Sequence, residues 1–160
     1  MFENLRPKET FSKVENINLD VFVKDLNIKG LIFDFDGTLR RNRTISRECI
    51  RFIKRAEDMG LKVSIVSNNF YLSKDILRKL RIRAVSRFAL KPLLSPFKRM
   101  AQTMKLPADR IAVIGNTYIT DIWGANRAGM YSIYIQDYKG LLFRRKTSKE
   151  LEHRGIRHIK

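Results

Sequence analysis

Short apolar runs alternate with longer amphipathic stretches along the chain, and this alternation constrains the fold more than any other feature. Most of the runs are rich in β-branched or aromatic residues, which is typical of strands buried on both faces. Strands that alternate with helices pair in parallel. We therefore predict an α/β, three-layer Rossmann-like fold with a mainly parallel five-stranded sheet, its strands within 31–35, 61–67, 83–88, 111–115 and 131–135.

The stretches between these runs carry signals for helices. Apolar residues recur at helical spacing over 45–56, and Gly60 is expected to end that helix. Ser73 is expected to cap the next helix. Ser95 and Pro96 are typical of an N-cap and a first helical position, so they predict the start of a third.

The length of 160 residues fits one domain, which we expect to have its core at about 19–136 and a basic tail at 139–160. The single cysteine, Cys49, cannot form an internal disulfide and favours a reducing compartment. No apolar run approaches the roughly 18 residues that would span a bilayer, and the N-terminus lacks the apolar core of a signal peptide. These features predict a cytoplasmic protein. Peripheral attachment to a membrane is compatible with them.

The formal net charge is +17, and the excess is concentrated in residues 40–99, which hold 17 basic and 4 acidic side chains. Such a charge favours an anionic partner, which is a phosphorylated substrate, a nucleic acid or an anionic lipid surface. A basic but merely solvated surface explains the charge equally well. Charge alone therefore indicates an association and no particular chemistry.

Polar side chains follow the predicted strands. The first strand is followed by Asp34 and Asp36, two carboxylates that repel each other unless a cation or a shared proton intervenes. Mg²⁺ suits such a pair because it prefers hard oxygen ligands. One carboxylate could attack phosphorus while the other transfers a proton. An acidic turn without function remains the alternative for these two residues taken alone.

Three further strand ends carry polar groups. Ser67, Asn68 and Asn69 follow the second strand and form a candidate anion-binding turn, which is also ordinary loop chemistry. Lys91 precedes the third helix, and Asn116 and Asp121 follow the next buried strand. Because the carboxyl ends of parallel strands share one edge of a sheet, these groups are expected to meet. Their combination favours a functional site over chance.

At these positions the sequence resembles the haloacid dehalogenase (HAD) superfamily of aspartyl-phosphate phosphatases. Its four motifs correspond to Asp34-Phe35-Asp36-Gly37-Thr38-Leu39, to Ser67, to Lys91 and to the run 115–121. The similarity covers about residues 19–136. It is strongest to the YqeG-type phosphatases, a branch of the capless subfamily IIIA that also includes the mitochondrial phosphatidylglycerophosphate phosphatases. The residues that indicate this branch lie at 28–30, 65–69, 91–92 and 120–129.

The resemblance implies a role for each catalytic residue. Asp34 would be the nucleophile and Asp36 the general acid and base. Ser67 would hold the transferring phosphoryl group, with Asn68 beside it. Lys91 would bridge that group and the nucleophile. The implied activity is Mg²⁺-dependent hydrolysis of a phosphomonoester through an aspartyl-phosphate intermediate.

The resemblance also implies a metal site, and the sequence departs from the family pattern there. Mg²⁺ would bind Asp34, the main-chain carbonyl of Asp36 and the fourth motif. That motif usually begins Gly-Asp, whereas Asn116 stands in this chain, so we expect weaker Mg²⁺ binding with compensation from Asp121. The branch tends to have Asn where Gly37 stands, and we expect that position to be permissive.

The spacing of the motifs leaves no room for a large cap domain, because each interval holds only one helix and one strand. An open site with a basic surround suits a phosphate on a large anionic substrate. The leading candidate, implied by the branch, is phosphatidylglycerophosphate. The tail segment 139–146 would then dock peripherally on anionic lipid, or its apolar residues would simply cover the sheet edge.

Two other functions remain open. A nucleic-acid end phosphatase is the weaker alternative, because the basic stretches lack interleaved aromatics and Phe52 and Phe88 fall in predicted core elements. A catalytically weak module that binds phosphate or protein is the third, and Asn116 motivates it. The oligomeric state is left open by the sequence.

Overall fold

The computed structural model describes residues 3–69 and 72–136 and shows a six-stranded sheet in which every pair is parallel. The strand order is β1-β6-β5-β2-β3-β4. The strands are β1 (Glu9–Phe11), β2 (Gly30–Phe33), β3 (Lys62–Val66), β4 (Ala84–Ser86), β5 (Ile111–Gly115) and β6 (Tyr131–Ile135). The α/β, parallel, Rossmann-like prediction is confirmed. The strand β2 lies inside the sheet, between β5 and β3.

The predicted number of five strands is wrong by one. The additional strand, β1, pairs with β6 in the register Glu9 to Ile133 and forms an edge of the sheet. Its three residues, Glu9–Phe11, are partly exposed and only one of them is apolar. The strand therefore leaves no apolar run in the sequence that would predict it. The weakest predicted strand, within 83–88, is present as β4.

In the described residues, five α-helices cover the sheet. They are α1 (Leu19–Lys24), α2 (Arg47–Asp58), α3 (Lys74–Lys79), α4 (Leu94–Met104) and α5 (Gly124–Arg127), and a π-helical turn, Tyr118–Trp123, leads directly into α5. Ser46 caps α2 by accepting from the N–H of Cys49, and Gly60 follows its end with a φ of +85°. Ser73 caps α3 as predicted, accepting from the N–H of Ile76 at 3.2 Å.

The start of α4 differs from the prediction. Its N-cap position is Leu93, and Ser95 and Pro96 lie inside the first turn. Proline is tolerated there because the first-turn N–H groups have no acceptor within the helix. Pro96 therefore marks the first turn of a helix without identifying its first residue.

Two apolar clusters fill the layers on either side of the sheet. Alternating residues of β2 face opposite layers, with Leu31 and Phe33 in the cluster under α1, α2 and α3, and Ile32 in the cluster under α4 and α5. This burial on both faces makes the central strands continuous apolar runs.

Between β2 and α2, residues 34–46 form a series of turns without a helix or strand, held by bridges that pair Asp36 with Arg40 and Arg41 with Thr44. No cap domain interrupts the described residues. None of the helices in this part of the chain has the length and hydropathy needed to cross a membrane. The predicted basic tail, 139–160, lies outside the described residues.

Candidate active site

Four strand ends converge at one edge of the sheet. Asp34 follows β2 directly, and the neighbouring strands β3 and β5 are followed by Ser67 and Asn116. Lys91 reaches the same edge from the loop between β4 and α4. The predicted convergence is present, because parallel strands present their carboxyl ends together.

Lys91 connects the segment after β2, which holds Asp34, to the segment after β5, which holds Asp121. Its buried Nζ lies 2.7 Å from Oδ1 of Asp34 and 2.6 Å from Oδ1 of Asp121. Both carboxylates are buried as well. A cation shared between two carboxylates offsets part of the cost of burying all three charges. The ammonium group also fixes where the Asp34 carboxylate stands.

Asp121 is held by hydrogen bonds to both of its oxygens. Oδ2 accepts from the main-chain N–H groups of Asn116 and Thr117 at 3.1 and 3.0 Å. Oδ1 accepts from the Thr120 hydroxyl and from Lys91. The tight turn that makes this possible begins at Gly115, where a Cβ would overlap the Asp121 side chain. In this geometry Asp121 orients Lys91 and closes the turn after β5.

Burial dominates the electrostatics of this cluster. Loss of solvent raises the pKa of Asp34 to about 6, since the opposing effect of Lys91 is weakened by repulsion from nearby Asp121. Burial disfavours the charged form of Lys91, but the two carboxylates outweigh it and the pKa of Lys91 is above its usual value. Lys91 is therefore a permanent positive charge beside Asp34 at neutral pH.

Asp36 occupies a different environment. It is exposed, and one of its oxygens is bound by the Arg40 guanidinium, whose Nε lies 2.7 Å away. Its other oxygen accepts from Nδ2 of Asn69 at 2.6 Å. One carboxylate of the pair is thus buried and paired with lysine, while the other stands at the solvent boundary. Such unequal environments allow the two acids to take different roles.

Arg40 was not predicted to be part of the site, and Asn69 was predicted only as part of the anion-binding turn, not as a partner of Asp36. The spacing of four residues between Asp36 and Arg40 was available as a signal, but arginine is so common in this stretch that it carried little weight. The position of Asn69 depends on how the loop after β3 folds, which the sequence does not report.

Ser67 and Asn68 lie where predicted but face different groups. The buried Ser67 hydroxyl accepts from the N–H of Asn69 at 3.0 Å. The Asn68 side chain binds the main chain of Lys91, accepting from its N–H at 2.7 Å and donating to its carbonyl at 3.3 Å. Asn68 therefore holds the Lys91 loop against the end of β3.

Asn116 touches the turn that follows β2. Its Oδ1 accepts from the Thr38 hydroxyl at 3.4 Å, and the same hydroxyl lies 3.4 Å from Oδ2 of Asp34. A Cβ on Gly37, whose φ is +85°, would overlap the Asn116 side chain. The expectation that position 37 is permissive is therefore wrong for this chain, since its glycine makes room for Asn116.

The donor chemistry around Asp34 fits a hard divalent cation. The side-chain donors beside it, from Asn116 and Thr38, are oxygens, which Mg²⁺ accepts together with several waters. Within the described residues no group of three or more His, Cys, Asp or Glu side chains is arranged to hold a metal.

The chain is similar to known hydrolases over most of its described length. The family model of the haloacid dehalogenase-like hydrolases matches residues 31–125. The protein named Probable phosphatase YqeG, from Bacillus subtilis (strain 168), is 34% identical over 118 residues, which cover 71% of this chain and 67% of that protein.

Two solved structures share the fold. An uncharacterized protein from Corynebacterium glutamicum superposes with a TM-score of 0.59 at 22% identity, over 83% of this chain and 99% of that one. The cobalt-bound deoxy-D-mannose-octulosonate 8-phosphate phosphatase from Haemophilus influenzae superposes with a TM-score of 0.51 at 20% identity, over 57% of this chain and 60% of that one. With the four motifs gathered at one edge of the sheet, the chain belongs to the haloacid dehalogenase-like hydrolases and is a phosphatase.

Proposed function

We propose that the protein hydrolyses a phosphomonoester displayed on a large anionic molecule, and that phosphatidylglycerophosphate is its substrate. The observation that carries the chemistry is the Lys91 ammonium held between Asp34 and Asp121 at the end of β2. A fixed positive charge beside a carboxylate is what an attack on a phosphate dianion requires, since like charges otherwise repel.

In the first step an oxygen of Asp34 forms a bond to phosphorus while the bond from phosphorus to the ester oxygen breaks. Asp36 gives its proton to the departing oxygen, which leaves as an alcohol. Arg40 and Asn69 hold the Asp36 carboxyl at the mouth of the site, where that oxygen would depart. The product of this step is a phosphorylated Asp34.

In the second step a water attacks the phosphorus of that intermediate. Asp36 takes the proton of the water, and the bond from phosphorus to Asp34 breaks. Inorganic phosphate leaves, and both carboxyl groups return to their starting states. Ser67 and Lys91 hold the phosphoryl oxygens during both steps, each as a donor fixed in place by the fold.

We further propose Mg²⁺ as the cofactor, held by Asp34, the main-chain carbonyl of Asp36 and Asn116, with Asp121 acting through Lys91 and the backbone. When bound, the ion supplies positive charge that offsets the charge of the phosphoryl group. Asn116 offers it a neutral oxygen in place of a carboxylate. Its binding is therefore expected to be weaker than in relatives with aspartate at this position.

The lipid substrate is supported by access and charge. The connection between β2 and α2, residues 34–46, holds only turns and bridges, so within the described residues it forms no cap over the site. The basic residues concentrated in 40–99 would attract an anionic surface. The predicted contribution of the tail through Arg144, Arg145 and Lys146 lies outside the described residues and stays a prediction. Replacing those three with serine should weaken binding to anionic vesicles.

The argument against a nucleic-acid substrate rested partly on the prediction that Phe52 and Phe88 are internal. Phe52 is buried as expected, but the assignment of Phe88 to the core is wrong, because Phe88 is exposed after β4. The exposed neighbours of Phe88 in that loop are the aliphatic Leu90 and Leu93, so the loop offers no run of aromatic side chains for stacking. Tyr118, an exposed aromatic side chain of the turn after β5, is already stacked on Tyr134. Lipid remains the better-supported substrate.

A second candidate is a module that binds phosphate without turnover, which Asn116 favours. The two candidates are separated by assaying Mg²⁺-dependent phosphate release from phosphatidylglycerophosphate in mixed micelles, from an aryl phosphate and from a 3′-phosphorylated oligonucleotide. Asp34→Asn is the blank. Lipid turnover that is lost in Asp34→Asn supports the full proposal, and activity on another substrate alone rejects the lipid. Phosphate binding without release from any of the three supports the second candidate.

A further inference from the structure

Exposed apolar side chains are concentrated around the mouth of the site. Six large apolar side chains are exposed in residues 3–69 and 72–136, and five of them follow β4 or β5 at the edge that carries Asp34. We call these five the apolar rim: Phe88 (63% exposed), Leu90 (52%), Leu93 (54%), Tyr118 (43%) and Ile119 (60%). The sixth, Val21, lies on α1, away from this edge. Exposed apolar patches bordered by polar groups mark contact surfaces.

The rim has two parts, one on each side of the catalytic cluster. Phe88, Leu90 and Leu93 belong to the loop that carries Lys91, whereas Tyr118 and Ile119 belong to the turn that carries Asp121. The first part follows β4 and the second follows β5, and the strands β2 and β3 lie between these two in the sheet. At about 4.8 Å per strand, β4 and β5 lie about 14 Å apart, and the ends of β2 and β3, which carry Asp34 and Ser67, lie between them.

The first part of the rim has an unusual backbone conformation. Phe88 and Leu90 have φ values of +46° and +55°, a region that residues other than glycine, asparagine and aspartate seldom adopt. The loop is fixed in this conformation by the two hydrogen bonds from the Asn68 side chain to Lys91. Exposing these two large apolar side chains therefore carries a cost in backbone conformational energy, which the surrounding contacts offset.

The second part of the rim is also fixed. The Tyr118 ring stacks on the ring of Tyr134 in β6, with centroids 4.3 Å apart. Ile119, the next residue, projects from the same π-helical turn that positions Asp121. Both parts of the rim are thus built on the segments that supply catalytic-site groups.

Cations accompany the rim. Arg43 is exposed in the turn after β2, and Arg87 is exposed beside Phe88. The Arg87 guanidinium donates to the carbonyl of Leu72 at 3.0 Å, which holds the charge at this edge. Apolar side chains that enter an interface, with cations beside them, are the composition that binds anionic lipid surfaces.

We propose that the apolar rim docks on an anionic bilayer, so that the site faces the membrane and takes its phosphate from a lipid headgroup. A flat surface can contact both parts of the rim at once and still present a phosphate between them. A second copy of the chain or an acidic protein on this face would cover the site. The inference rests on the proposed function for its substrate, but the docking itself is measured without turnover.

The test is sedimentation of the full chain with vesicles of phosphatidylcholine alone or with about 30 mol% phosphatidylglycerol, which supplies the anionic surface charge. The rim variant combines Phe88→Asn, Leu93→Ser and Ile119→Gln. Asparagine is compatible with a positive φ, serine is favoured at the N-cap of α4, and glutamine suits a helical turn. Val21→Gln is the matched control, because it removes an exposed apolar side chain far from the site.

We expect the wild type and Val21→Gln to bind the anionic vesicles equally and the rim variant to bind at least about tenfold more weakly, since three apolar groups no longer enter the interface. Equal binding by the rim variant, or no binding by the wild type, overturns the proposal. So does a wild-type dimer that the rim variant dissociates in the absence of lipid, which would assign the rim to a second copy.

Two measurements keep these outcomes distinct. Circular dichroism melting checks that the rim variant is folded. If it is not folded, the single variant Ile119→Gln is tested in its place, because Ile119 lies on the turn after β5 and not in the Lys91 loop. Hydrolysis of a soluble aryl phosphate by the wild type against Asp34→Asn tests the proposed function without a membrane. Docking without hydrolysis of any phosphate would reject the proposed function but support the proposed membrane-binding surface. Hydrolysis without docking would support the function and reject the membrane-binding surface.

Discussion

The side chain of Asn116 occupies the space in which a Cβ on Gly37 would stand. This contact joins the turn after β2, which carries the Asp pair, to the turn after β5, which carries Asp121. Thr38 adds a hydrogen bond between the same two turns. The geometry around Asp34 therefore depends on a residue pair that lies far apart in the sequence.

Gly37→Ala is expected to destabilise the protein by about 1–3 kcal/mol, because the new methyl group meets Asn116 and the φ of +85° is unfavourable for alanine. Urea denaturation followed by circular dichroism measures the change. Gly60→Ala is the matched control, since Gly60 also has a φ of +85° but a Cβ added there would meet no atom within 4 Å. A loss at Gly37 no larger than that at Gly60 would show that the contact with Asn116 does not affect stability.

Asn116→Asp is expected to tighten Mg²⁺ binding by about tenfold, because a charged oxygen replaces a neutral one beside Asp34. Without the ion the extra negative charge should lower the melting temperature. Titrating Mg²⁺ while following the melting temperature tests both effects, with Asn116→Ala as control. A melting temperature of Asn116→Asp that does not respond to Mg²⁺ would place the ion elsewhere.

The same variant separates the two candidate functions. A large gain in turnover indicates that Asn116 limits catalysis in the present chain. Turnover close to that of the wild type indicates that Asn116 is sufficient as it stands.

Lys91→Met is expected to cost about 3–5 kcal/mol of stability, because it leaves Asp34 and Asp121 buried without their shared cation. The exposed Lys98 of α4 provides a matched control, Lys98→Met, for which we expect less than about 0.5 kcal/mol. Denaturant titrations near neutral pH measure both. Similar stabilities for the two variants would mean that the ion-pair cluster contributes no net stability.

Cys49 predicts how stability changes at alkaline pH. Burial raises the pKa of its thiol from 9.0 to about 12, and Glu15 adds to the effect. Below pH 9 the thiol is protonated in both the folded and the unfolded state, so its contribution to stability is complete. As pH rises from 9 towards 12 the unfolded state releases the proton first, so the folded state loses stability.

Cys49→Ala should therefore be less stable at neutral pH but less sensitive to pH above 9, by up to about 1.4 kcal/mol per pH unit. Denaturation at a series of pH values measures how steeply the free energy of unfolding falls with pH. Tyr131→Phe is a useful comparison. Burial, with a hydrogen bond to Glu9, raises the pKa of Tyr131 from 10.0 to about 12. The loss of stability due to Tyr131 should therefore begin near pH 10, whereas the loss due to Cys49 begins near pH 9. Parallel slopes for Cys49→Ala and the wild type would contradict the prediction.

Much of the fold was predictable from local pattern. Strands such as β2 and β5 are buried on both faces, so burial leaves a continuous apolar run in the sequence. The short, half-exposed β1 leaves no such run, and its pairing with β6 became visible only in the folded chain. The prediction that Phe88 is internal was wrong for a related reason, because Phe88 lies after the short strand β4, in a loop with an unusual backbone conformation, where its side chain is exposed.

Local pattern was enough to establish which chemical groups follow each strand, since parallel pairing carries Asp34, Ser67, Lys91 and Asn116 to one edge. Which of these groups touch depended on the packing of the folded chain. Lys91 lies between Asp34 and Asp121 because the Asn68 amide and the turn after β5 hold it there. Periodicity reports the burial of each residue separately, whereas contacts across the site depend on loops packed between distant segments.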